Sequence, residues 1–322
     1  LRAKTFLAAV LSIVVMPLII TRPVAAQLAS RSVAAEPVAH ASVLTTASSQ
    51  PAGMTSERLR QLMRPSFRLG FQWLAEADDV ELSTYDARVT MPLYPIFGPP
   101  PPMFSLGFEY TDLSAAAVFD LAGELYETSI GLSWMRRRND RWSFRWMLGA
   151  ANATDGDNQS SDAWQFRGGG FAIYQPNERW TWTFGAIALG RNDIPVVPAI
   201  GFIYQPNPCL RFDASFPRPR ASLLLADNGI RQQWGYIGAG LEGGTWGYQR
   251  NDGTDDQLTY RDWRLVLGWE STPRRESGMP FALGRKLSAE VGYAFGRRFE
   301  FESDRSDFEI QDALLIQIGT RF

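Results

Sequence analysis

One cysteine and one histidine serve 322 residues, and that scarcity excludes more than most motifs would. Cys209 alone cannot close a disulfide within the chain, so cohesion has to come from hydrogen bonding and packing. A metal site built from Cys and His is excluded by number. Basic charge is not in excess either: 32 Lys and Arg stand against 34 Asp and Glu, for a net charge of -2. No nucleic-acid partner is expected, because such a partner needs a positive footprint to neutralise its phosphates. Long apolar runs are also missing. Only Phe6 to Ile20 approaches one; it is short for a bilayer span and no second follows, so a helical inner-membrane protein is excluded.

That run has another use. Arg2 and Lys4 precede it and the small residues Val24, Ala25 and Ala26 follow, which is the layout of a cleaved secretory signal peptide over residues 1–26. Residues 27–65 are largely Ala, Ser, Val and Thr, too poor in large apolar groups to offset chain entropy, and are expected to form a disordered periplasmic tether. Within it, Ser56 to Met63 reads either as a short helix capped by Ser56 and ended before Pro65, or as plain tether.

From Ser66 onward the pattern becomes period two. Phe67, Leu69, Phe71 and Trp73 alternate with Arg68, Gly70 and Gln72, and Phe104, Leu106, Phe108 and Tyr110 with Ser105, Gly107 and Glu109. Tyr126 to Trp134, Trp142 to Leu148 and Trp263 to Trp269 repeat it. A residue every second position shares a face of a strand, so one face is aromatic and aliphatic and the other is Gly, Ser and charge. A soluble sandwich also alternates, but it has no use for rings at both ends of a strand. A transmembrane barrel does, because its strand ends lie in the two headgroup layers. The pairs Trp263/Trp269 and Tyr126/Trp134 are roughly 20 and 27 Å apart along a strand, close to an outer-membrane apolar band once tilt is allowed for.

The segments Ile173-Tyr174-Gln175-Pro176-Asn177 and Ile203-Tyr204-Gln205-Pro206-Asn207 repeat one hairpin apart, which puts both turns on one side, assigned to the periplasm. Asn152 to Asp162 and Asn251 to Gln257 are polar and acidic, like extracellular loops. These sides agree only if Leu210 to Ala226 is split at Pro217 and Pro219, where a proline cannot serve a central ladder. The count is then about 14 strands, with 12 as the fallback. The expected fold is an all-β, transmembrane, antiparallel up-and-down barrel over residues 66–322. Pro99 to Pro102 reads as a stiff extended turn.

The end of the chain, Leu314, Ile316, Ile318, Thr320 and Phe322 on alternate positions, resembles the C-terminal strand of bacterial outer-membrane proteins. That resemblance implies that Phe322 is a signal for the barrel-assembly machinery, and that outer-membrane lipid is the other partner. The chain as a whole resembles an uncharacterised family of porin-like outer-membrane barrels rich in the Tyr-Gln-Pro-Asn type of turn, a likeness spanning roughly Ser66 to Phe322. It implies fold and location and names no cargo.

Chemistry is sparse. Barrel lipases and proteases of the outer membrane depend on a histidine for proton transfer, and His40 lies in the tether. No catalytic residue, cofactor or metal ligand is predicted. Asp252 to Asp256 lacks the spacing of a calcium loop and reads as a solvated tip, and Gly168-Gly169-Gly170 as a bend or close approach in a strand. What is left is the inward face. There the alternation places Arg68, Arg88, Arg145, Arg211 and Arg264, together with Asp86, Glu109, Glu127, Asp213, Asp262, Glu270 and Glu290. Two readings stand. The charges line a water-filled passage for small polar solutes, or they pair and fill a closed barrel that acts through its extracellular loops. The passage is the leading expectation.

Overall fold

Period-two segments this numerous have to pair edge to edge, and in the computed structural model they do. It describes residues 64–94, 100–158, 160–190, 196–274, 284–303 and 305–322. The expected signal peptide, the tether up to residue 63 and the helix at 56–63 lie outside the described residues. The strands are β1 (Ser66–Ala77), β2 (Val80–Pro92), β3 (Met103–Ala115), β4 (Glu124–Arg137), β5 (Trp142–Thr154), β6 (Trp164–Asn177), β7 (Trp180–Ala188) and β8 (Val196–Pro198). They continue as β9 (Gly201–Asn207), β10 (Leu210–Asp213), β11 (Arg220–Asp227), β12 (Arg231–Gln249), β13 (Asp255–Pro273), β14 (Lys286–Phe301), β15 (Phe308–Ile310) and β16 (Ala313–Arg321).

Consecutive strands pair antiparallel, except that β7 pairs with both β8 and β9 and β14 with both β15 and β16, and β1 pairs with β16 to close the ring. Phe322 and Phe67 complete that seam by exchanging backbone bonds of 2.8 and 3.2 Å. Strand β8 sits on β7 just beyond β9, and β15 sits on β14 just beyond β16. Each short strand is thus the far half of one stave, which leaves 14 staves in the ring. Pro217 and Pro219 fall in the connection between β10 and β11, where the missing N–H groups interrupt no ladder.

Both Tyr-Gln-Pro-Asn turns lie at the same end, here the lower one. The tight lower turns share a device: an asparagine side-chain oxygen accepts from backbone N–H groups two or three residues on. Asn139 does so for Arg141 and Trp142, Asn177 for Arg179 and Trp180, Asn207 for Cys209, and Asn228 for Ile230 and Arg231.

The outer face is apolar, with Leu69, Leu106, Ile130, Leu148, Leu265, Leu267 and Ile316 all exposed. Rings bracket this band. Near the lower end Trp134 meets Trp146 (5.8 Å), Trp142 meets Tyr174 (4.7 Å) and Trp180 meets Tyr204 (4.3 Å). Near the upper end Phe71, Tyr85, Tyr110 and Tyr126 stand in register across β1 to β4, and the hydroxyls of Tyr110 and Tyr126 both donate to Glu124. A face of aliphatic side chains between two aromatic belts is stable only against lipid.

Candidate functional site

The inner face is built by the same alternation read from the other side. All twelve charges expected there occupy inward positions, alternating with exposed outward neighbours such as Leu69, Phe108, Phe212, Leu265 and Val291. They form local groups rather than one ring. Asp86, Glu109 and Glu127 stand directly opposite one another on β2, β3 and β4. Arg167 of β6 forks onto Glu127 with bonds of 2.7 and 2.5 Å, and Arg68 lies 3.8 Å from Asp86. Arg68, Asp86, Arg88, Glu109, Glu127 and Ser129 line one small cavity on the wall. Gly70 makes room for it, since a side chain there would overlap the Asp86 carboxylate.

A second group lies on β10 to β14. Arg264 bonds Asp262 (2.7 Å) and Gln72 (2.6 Å); Arg220 and Lys286 flank Glu270 at 3.4 and 3.2 Å; Tyr236 donates to Glu290 (2.5 Å). Arg211 lies 3.6 Å from Asp213. Arg145 faces inward between Met135 and Phe171 in register. The structure adds Arg167, Arg218, Arg220, Lys286 and Arg297 to the basic set and Glu242 to the acidic set. Parity from Trp164 and Phe166 would have found Arg167. Arg218 lies between two prolines, where no alternation exists to read.

The upper end is where the sequence reading needs correction. Asn251 to Gln257 is not a free loop. Asp255 to Gln257 already belongs to β13, and Asp256 and Gln257 are buried. Only the turn near Asp252 is solvated; there bonds from the Thr254 hydroxyl and N–H hold the Asp252 carboxyl below its usual range. Asn152 to Thr154 likewise ends β5 rather than opening a loop.

The cause is a bend in three long strands. Alternating exposure on β12 stops at Gly243, whose φ of 140° suits only glycine and whose missing side chain admits the Tyr260 carbonyl. At the same height β13 and β14 lose register between Arg261 and Trp263, and Gly296 has a φ of 58°. Above this line the sheet turns inward across the mouth. Gly247 pairs with Thr154 of β5 in the only parallel step of the sheet among the described residues. Asp155 donates to the Gly247 carbonyl (3.1 Å) and its carboxylate accepts from Gln249 N–H (2.7 Å). Asn158 reaches the Tyr248 carbonyl, Gln165 the Thr245 carbonyl, and Gln257 the Asp162 carbonyl.

The inturned face is apolar. Trp246, Tyr248, Leu258, Tyr260 and Phe299 pack against Leu74, Val80, Leu82, Leu113 and Leu125 from the wall of β1 to β4. Burial of side chains this size is worth roughly 1.5–3 kcal/mol each, so the docked arrangement is firmly held. Arg305 ties the rim by donating to the carbonyls of Phe119 and Asp120 and to the Tyr248 hydroxyl. Among the described residues, packed sheet therefore lies across the upper mouth, while charge lines the wall below it.

A closed ring of antiparallel strands, apolar and belted by rings outside and charged inside, defines a transmembrane barrel of the outer-membrane type, the one sheet that satisfies every strand edge in lipid. Within that class, the chain belongs to the family DUF6268, described as a domain of unknown function, whose model matches residues 103–308. Among solved structures it is similar to a bacterial polysaccharide outer membrane secretin (10% identity, TM-score 0.41, covering 81% of this chain and 98% of that one). It is also similar to the KdgM porin (8%, 0.32, 79% and 98%) and to the outer membrane protein Omp33 of Acinetobacter baumannii (8%, 0.31, 81% and 98%). No curated protein matches it.

Proposed function

We propose that the protein is a porin-like passive channel for small polar solutes in the bacterial outer membrane, shut at its extracellular mouth in the state described. The lower turns then face the periplasm and the inturned hairpin faces outward. The observation that carries the reading is the inner wall, where basic and acidic side chains are interspersed over small residues beneath a closure that is a separate, bent piece of sheet. Interspersed charge of both signs produces no strong field of one sign, so ion preference is weak.

A second reading, a permanently closed barrel acting through its outer surface, is favoured by the apolar packing of the closure. Planar-bilayer recording separates them. The full chain is expected to give rare, brief openings, and a variant with Thr245–Thr259 replaced by Asn-Gly a steady conductance. If the shortened barrel is folded by circular dichroism and still silent, the channel reading fails and the closed barrel stands.

A further inference from the structure

On the wall below the inturned sheet, one cation and one anion are left over when their neighbours have paired. Across β1 to β4, two successive rows of inward positions stand in register. The lower row is Arg68, Arg88, Gly107 and Ser129, and the upper row is Gly70, Asp86, Glu109 and Glu127. The outer carboxylates of the upper row are drawn apart. Asp86 lies over Gly70 on the side of Arg68, and Glu127 is held from the other side by Arg167. Glu109 stands between them. Among the described residues it makes no hydrogen bond and no ion pair, and neither does Arg88.

Gly107 is the floor between these two groups. A side chain there would lie 2.6 Å from the Ser129 Oγ and 3.2 Å from the Arg88 Nε, so both reach in over bare backbone. Glu109 is the next inward residue on β3, on the diagonal from Arg88 across the paired strands, a spacing of roughly 7–8 Å between backbones. Arg88, Gly107, Glu109 and Ser129 all line the small cavity of the wall. One row above it, Thr84 faces Thr111, and the row after that is Leu82 and Leu113 of the apolar cluster. The cavity thus lies directly beneath the closure.

We infer that this recess is a binding site for small zwitterions of the α-amino acid type, with the solute's carboxylate on Arg88 and its ammonium on Glu109. The planar guanidinium receives a carboxylate through two parallel N–H bonds, and an ammonium donating to a carboxylate makes a charge-assisted bond of the same strong class. A solute with only one of the two charges satisfies one half of the recess and leaves the other half unmatched. The inference names a solute class for the proposed channel, and it rests on that reading for the solute's route to the wall.

The test uses the full chain in nonionic detergent micelles and three probes of nearly equal size: L-alanine, propionate and ethylamine. Saturation-transfer NMR, titrated over probe concentration, gives the affinity of each. L-alanine is expected to bind at least about tenfold more tightly than either single-charge probe, the worth of one charge-assisted hydrogen bond. Arg88→Gln is expected to bring L-alanine down to the affinity of ethylamine and Glu109→Gln to that of propionate, each with the circular dichroism of the barrel unchanged. L-alanine binding no tighter than the other two probes, or keeping its wild-type affinity in either variant, overturns the inference. If a variant does not fold, the three probes on the unaltered chain still decide it. Conductance is not part of the readout, so the two proposals fail separately. A silent bilayer with selective L-alanine binding removes the channel and leaves the site, and an open channel whose wall does not distinguish the probes does the reverse.

Discussion

Trp246→Ala is the sharpest probe of the closed mouth. The indole is almost wholly buried, lies over Gly244, and packs in the cluster that joins the inturned hairpin to the wall of β1 to β4. Deleting a buried side chain of this size costs about 3–5 kcal/mol. If docking is a local equilibrium, that cost falls on it alone, and the ratio of docked to undocked hairpin drops on the order of 10²- to 10³-fold. Hydrogen exchange read by mass spectrometry reports the change, because the Asp155 N–H donates to the Gly247 carbonyl and the Gln249 N–H to the Asp155 carboxylate only when the hairpin is docked. Peptides covering 150–158 and 244–260 should exchange faster by that factor, while peptides from 104–112 on β3 keep the wild-type rate. Unchanged exchange in the hairpin would refute the reasoning. So would equal acceleration through β3, since the cluster would then be part of one cooperative barrel rather than a lid on it.

Two further outcomes follow from the wall. The Tyr236 ring lies directly on Gly268, so Gly268→Ala should push the ring away, break its bond to Glu290 and destabilise the barrel by about 2–4 kcal/mol, seen as a lower urea midpoint; an unshifted midpoint counts against the assigned facing of β12 and β13. In a Cys209→Ser background, cysteines at Leu265 and Leu267 should react with a lipid-soluble thiol reagent and cysteines at Arg264 and Val266 should not. The opposite pattern would mean that β13 faces the other way.

What was legible in the chain was whatever repeats over a short distance. Alternation about Leu265 and Leu267 shows which face of β13 meets lipid, and the prolines at 217 and 219 mark where β10 ends. Fourteen staves follow from those local signs together with the side assignments of the turns. The mouth was not legible, because its contacts join distant residues: Asn158 with Tyr248, Gln165 with Thr245, Arg305 with Phe119. In sequence, Asp252 to Asp256 looks solvated because nothing nearby buries it; Arg250 and Ser303 bind Asp256 only after three strands have bent together. Gly243 and Gly244 were visible, but a glycine pair in a strand does not say which way the sheet turns. Arg218 was silent for a related reason, since a residue flanked by prolines has no alternating neighbours to give it a face.

The asparagine-capped lower turns bear on the order in which such a barrel comes together. Each cap links residues only two or three apart, so the hairpins β4–β5, β6–β7, β9–β10 and β11–β12 carry their registers within themselves and need little chain entropy to start zipping. The contact of Gly247 with Thr154 spans most of a hundred residues and has no local nucleus. It can form only once the staves between β5 and β12 stand in place. Such a barrel is therefore expected to zip from its lower edge upward, with the upper mouth the last part to become ordered.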